Sequence, residues 1–124
     1  MSPTLLQINF NFSSTPAAYE AASAPAAAFI AGVPGLAWKI WPISEERSEA
    51  GGIYLFESAE AASAFALQVA AMLSADPTFS NVSIKQFGVI EALPAVTRGP
   101  VAPAQTTTFA GLAEFSGRLR LRVE

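Results

Sequence analysis

The sequence predicts a single α+β domain, and three observations carry that reading. Apolar alternation and helix-favouring runs follow one another in the order strand, helix, strand, strand, helix, strand. The length, 124 residues, suits one domain. The composition is 52% hydrophobic and only 14% charged, more apolar than one small core requires. The excess points to an oligomer interface, an internal ligand cavity, or both.

Thr4 to Phe12 reads as a strand, with Leu6, Ile8, Phe10 and Phe12 on one face and Leu5, Gln7, Asn9 and Asn11 on the other. Thr15 is placed to cap a helix that opens with Pro16 and continues through the alanine-rich run to Ala31. Pro25 lies inside that run and predicts a kink or a break into two pieces. Leu36 to Ser44 and Gly52 to Glu57 read as a β-hairpin around the charged turn Glu45 to Gly51. Pro42 marks an edge strand or a bulge, because it has no N–H for a ladder. Ser58 caps a second helix, Ala59 to Ser74, in which Phe65, Val69, Met72 and Leu73 share a face. Asn81 to Ala92 is the fourth strand. This order is the ferredoxin-like split βαβ arrangement, βαββαβ. Leu93 to Gln105 reads as a linker, and 98–124 as a C-terminal extension beyond a domain of residues 1–97. Within the extension, Arg118 to Val123 alternates Leu119, Leu121 and Val123 with three arginines, a half-buried strand pattern.

The chain has neither histidine nor cysteine, which removes thiolate nucleophiles, Ser-His-Asp triads, Cys-ligated metals and the usual haem ligand. No resident metal or cofactor is expected. Residues 1–97 carry three cations against eight carboxylates, a net −5; residues 98–124 carry four against two, a net +2. The extension is therefore expected to dock on an acidic body, as an added strand that reinforces a dimer. The overall charge of −3 gives no nucleic-acid footprint. No apolar run reaches membrane-spanning length and the N-terminus lacks a signal core, so no membrane partner and a cytoplasmic location are expected.

Six residues are candidates for chemistry. Trp38 and Trp41, three apart, face opposite sides of a regular strand; each is either a packed aromatic or a ligand-stacking wall. Lys39 between them is either a solvated cation paired with a carboxylate such as Glu49, or a desolvated base or anion partner. Gln7 and Asn9 are amides that either satisfy neighbouring polar groups or line a wet cavity. Tyr54 is either a sheet aromatic or a phenol that donates to a substrate oxygen. Gly51-Gly52 precedes a strand, not a helix, and reads as a turn feature rather than a phosphate loop.

Three segments carry a family resemblance: Leu5-Leu6-Gln7-Ile8-Asn9-Phe10; Pro34-Gly35 followed after two residues by Trp38-Lys39-Ile40-Trp41; and Glu49-Ala50-Gly51-Gly52-Ile53-Tyr54-Leu55-Phe56-Glu57. In order and spacing the chain resembles the YdhR-type monooxygenase family over roughly residues 4–95. The resemblance implies a ferredoxin-like monomer whose sheet packs on a second copy as a dimeric α+β barrel. It also implies a cofactor-independent monooxygenase acting on a small electron-rich aromatic molecule in a pocket between sheet and helices. Tyr54, Asn9 and Lys39 are then the candidate catalytic residues; Trp38, Trp41 and Gln7 are the candidate substrate contacts. The reading from a different class is a non-catalytic homodimer that binds a small molecule or is structural. Haem degradation ranks third, weakened by the missing histidine.

Overall fold

The computed structural model describes residues 2–101. Eight elements follow one another: β1 (Thr4–Phe12), α1 (Pro16–Ala31), β2 (Leu36–Ile40), β3 (Ile43–Ser44), β4 (Glu49–Phe56), α2 (Ala59–Ala75), β5 (Phe79–Gly88) and α3 (Ala92–Thr97). The described residues divide into two compact units, one ending at Ile90 and the other beginning at Glu91, and α3 belongs to the second. The strands of the first unit form one antiparallel sheet in the order β2-β4-β1-β5, with β3 pairing β4. This is the ferredoxin-like α+β arrangement expected from the element order.

The core lies on the helix side of the sheet. Alternation in β1 places Leu6, Ile8, Phe10 and Phe12 there, all buried. Ala50, Tyr54 and Phe56 of β4 join them, and α2 covers them with Ala62, Phe65, Val69 and Leu73. Both long helices start on side-chain caps: Thr15 Oγ1 accepts the Ala18 N–H and Ser58 Oγ the Ala61 N–H, each at 3.1 Å. The two helices differ in attachment, because α1 has no fully buried residue. Tyr19 and Ile30, half-buried, pack its two ends against the core.

Several elements depart from the sequence reading. Pro25 does not break α1, which runs as one helix from Pro16 to Ala31. The residue is exposed, and so is Ala21, whose carbonyl the proline leaves without a helical donor and open to water. Met72 is exposed rather than part of the buried stripe of α2; Ala62 completes that stripe instead. Gly51 and Gly52 are not in the turn but inside β4, which already starts at Glu49. There, a Cβ on Gly51 would stand 1.8 Å from the Ile8 carbonyl oxygen, so glycine lets β1 and β4 approach at this point. Pro42 interrupts the ladder between β2 and β3, and β2 is an edge strand. The last strand begins at Phe79 and ends at Gly88, earlier than expected. Part of the expected linker is helical, since Pro94 falls in the first turn of α3, where no N–H is required. The strand expected at Arg118 to Val123 and the docking of 102–124 lie outside the described residues.

Leu6 is fully buried at the centre of this core. Leu6→Ala is therefore expected to cost about 2–5 kcal/mol of unfolding free energy in urea titration; a loss below about 1 kcal/mol would mean the β1 face is not where the core lies.

Candidate active site

A cavity of about 670 Å³ separates the sheet from α1 and the adjoining face of α2. Its volume is in the range of small-molecule sites. Ile8 and Phe10 of β1 and Tyr54 of β4 form the floor; Tyr19 and Phe29 of α1 and Val69 of α2 face them. The lining is largely apolar. Lys39 and Asp76 are its two charged residues, and they lie towards opposite edges of the sheet, one on β2 and the other just before β5. Asp76 already accepts the Thr78 N–H at 2.9 Å.

Lys39 reaches this cavity because of an irregularity in β2. Leu36 pairs with Phe56 on the helix side, but the register then slips and Trp38 pairs with Leu55, Lys39 with Tyr54 and Ile40 with Ile53. A strand without the slip would turn Trp38 inward with Leu36 and send Lys39 to the other face. With it, Lys39 and the following Trp41 enter the cavity while Trp38 and Ile40 stand on the outer face.

The Lys39 ammonium lies 3.2 Å from the centroid of the Trp41 ring and 4.7 Å from that of Tyr54, a cation held over two π faces. Its stem crosses Gly52, where a Cβ would come within 2.6 Å of Lys39 Cε and 2.5 Å of the Tyr54 ring. Glycine at 52 therefore supplies the space in which the lysine and the phenol meet. Burial lowers the Lys39 pKa from 10.5 to about 8. Tyr54 is 3% exposed and packs on Phe65 at 5.0 Å and Phe56 at 6.1 Å. Burial, and secondarily the charge that Tyr19 would carry if ionised, push its phenol well above 10.0, so it remains a proton donor across the ordinary pH range. Burial also raises Tyr19, against a smaller opposing effect of the Ser23 hydrogen bond.

The six residues singled out in the sequence are thus divided by the sheet. Lys39, Trp41 and Tyr54 converge in the cavity. Gln7, Asn9 and Trp38 belong to the opposite face, where Gln7 is exposed and Asn9 Nδ2 donates to Glu49 Oε2 at 3.2 Å. Tyr19, Ser23 and Phe29 were not singled out, because in an alanine-rich helix without a buried stripe no face stands out. Among the described residues no three carboxylates converge as a metal site would require, and no helix is long and apolar enough to cross a membrane.

Residues 5–100 match the family model described as "Putative mono-oxygenase ydhR". The chain belongs to the YdhR family. Among solved structures, this YdhR-family chain is similar to a mutant of SnoaB, a cofactor-independent oxygenase from Streptomyces nogalater. The TM-score is 0.58 at 22% identity, over 76% of this chain and 99% of the other. At that identity the likeness establishes the shared fold. No curated protein matches the chain significantly.

The unfolded chain keeps the Lys39 proton to about pH 10.5, whereas the folded protein releases it near 8. The unfolded state therefore binds more protons between these values, and stability rises with pH across that window. Relative to Lys39→Met, the wild-type melting temperature is expected to climb between about pH 8 and pH 10, above which tyrosines of the unfolded state begin to ionise in both proteins. A difference independent of pH would show the amine to be hydrated.

Proposed function

We propose that this YdhR-family protein is a cofactor-independent monooxygenase acting on a small, electron-rich aromatic compound, a phenol or anthrone-like molecule, bound in the cavity between sheet and helices. The observation that carries the reading is one ammonium and one un-ionised phenol side by side in an apolar, aromatic-walled cavity. The family's description and the oxygenase activity named for SnoaB support the same reaction class.

An aromatic substrate of this kind supplies its own electrons. Lys39 in its amine form removes a proton from the substrate, and the ammonium so formed pairs with the phenolate or enolate. The anion gives one electron to O2, the two radicals join as a peroxide anion at the activated carbon, and that anion takes the proton back from the Lys39 ammonium to become a hydroperoxide. Loss of water leaves a carbonyl: one oxygen atom enters the product and the other departs in water. Tyr54 donates a hydrogen bond to the oxygen that carries the developing charge. Trp41 holds the lysine in place and closes the wall, and the surrounding apolar side chains exclude water.

Purified metal-free protein is expected to consume O2 with a suitable polyphenol in the absence of flavin and haem. Tyr54→Phe and Lys39→Met are each expected to lower that rate at least about tenfold with the fold retained by circular dichroism. A broad substrate screen with no uptake above the uncatalysed rate would favour the non-catalytic binding dimer.

The outer sheet face supports a homodimer. Ile40 and Phe87, 54% and 45% exposed, stand there near Trp38 and Leu5 in the pairing register. An apolar sheet face of this kind packs well against a second copy. Sedimentation at micromolar concentration is expected to give about twice the 13.0 kDa chain mass, and Phe87→Asp to shift the protein towards monomer. A monomeric wild type rules the assembly out.

A further inference from the structure

The chain contains two lysines, and the fold gives them opposite surroundings. Lys85 is exposed on β5. Lys39 lines the cavity over the Trp41 and Tyr54 rings, and among the described residues no carboxylate is ion-paired with it. A primary amine in an apolar chamber, with a phenol beside it and no counter-ion among the described residues, is arranged for more than holding an anion.

We infer that Lys39 is a covalent capture site for small apolar aldehydes and ketones, which enter the cavity and condense with its amine to a protonated imine. The inference uses the same cavity as the oxygenase reading but needs none of its oxygen chemistry.

The step balances without an oxidant or reductant. The ammonium first releases a proton to solvent. The nitrogen lone pair then attacks the carbonyl carbon, a C–N bond forms, and the carbonyl π pair moves to oxygen, which takes a proton from the nitrogen. The resulting carbinolamine regains one proton and its C–O bond breaks, so that oxygen leaves as water. Ammonium and carbonyl compound have become iminium and water.

Three features of the site favour this outcome. The iminium carries the same positive charge in the same place as the ammonium, so the π faces of Trp41 and Tyr54 continue to stabilise it. The Tyr54 phenol lines the same cavity and can hydrogen-bond to the departing oxygen. Burial also leaves a useful fraction of the amine uncharged near neutral pH, where a hydrated lysine is almost wholly ammonium. A carbonyl ligand and an oxygenase substrate would exclude one another, since each needs the Lys39 nitrogen.

The test is reductive trapping under argon with benzaldehyde and cyanoborohydride near pH 7.4, about the physiological value, followed by peptide mapping. Lys85 serves as the reference inside the same molecule. Lys39 is expected to be benzylated at least about tenfold faster than Lys85. Saturating benzyl alcohol, similar in shape but without a carbonyl, is expected to slow labelling at Lys39 and leave Lys85 unchanged. Equal labelling of the two lysines, or Lys39 labelling that benzyl alcohol does not slow, would overturn the inference. Because oxygen is excluded, a failed oxygen-uptake assay does not bear on this result, nor this result on that assay.

Discussion

The site depends on a one-residue slip in an edge strand. Between Leu36 and Trp38 the β2–β4 register shifts, and everything after it changes face. Without that slip, the cation would stand on the outer face and Trp38 would fill the space it now occupies. Edge strands tolerate such irregularities because only one side of their ladder is committed. Pro42 limits the consequence: β2 ends at Ile40, two residues before the proline, so the altered alternation serves Lys39 and Trp41 and then stops. Across from them, Gly52 provides the space into which both Lys39 and Tyr54 lean.

The layout was largely legible in the sequence, for physical reasons that also mark where legibility ended. The alternation in β1, the capped start of α2 and its stripe Phe65, Val69 and Leu73 are period signals written into one segment each. The family, too, was carried by contiguous motifs in β2 and β4. The candidate site was half legible. Residue types identified Lys39, Trp41 and Tyr54 as chemically capable, but their convergence depends on pairing between strands that no single segment encodes. Regular alternation also separates Trp38 from Trp41, yet it does not say which of the two faces the helices. The slip at Ala37 decides that. Gly51 and Gly52 read as a turn because two glycines usually mark one; only the close approach of Ile8 and of the Tyr54 ring shows why a strand needs them.

Desolvating the Lys39 ammonium works against stability, and the structure shows what offsets it. Two aromatic faces replace part of the lost hydration, and the pKa falls until the charge is readily given up. The same site keeps Tyr54 protonated by the same desolvation. Opposite shifts in adjacent groups separate an acceptor from a donor without any histidine. A chamber with these properties suits chemistry in which the small molecule brings its own reactivity and the protein supplies orientation, proton traffic and dryness.

The weak attachment of α1 bears on how such a protein diversifies. Substitutions along β4 or the inner face of α2 disturb side chains on which the fold rests. Most side chains of α1 carry no such load, yet several of them border the chamber. Inheritance can therefore vary this wall residue by residue, changing which molecules fit inside, while the strands beneath keep the reactive groups where they are. Selection for new ligands is expected to write itself mainly into one helix.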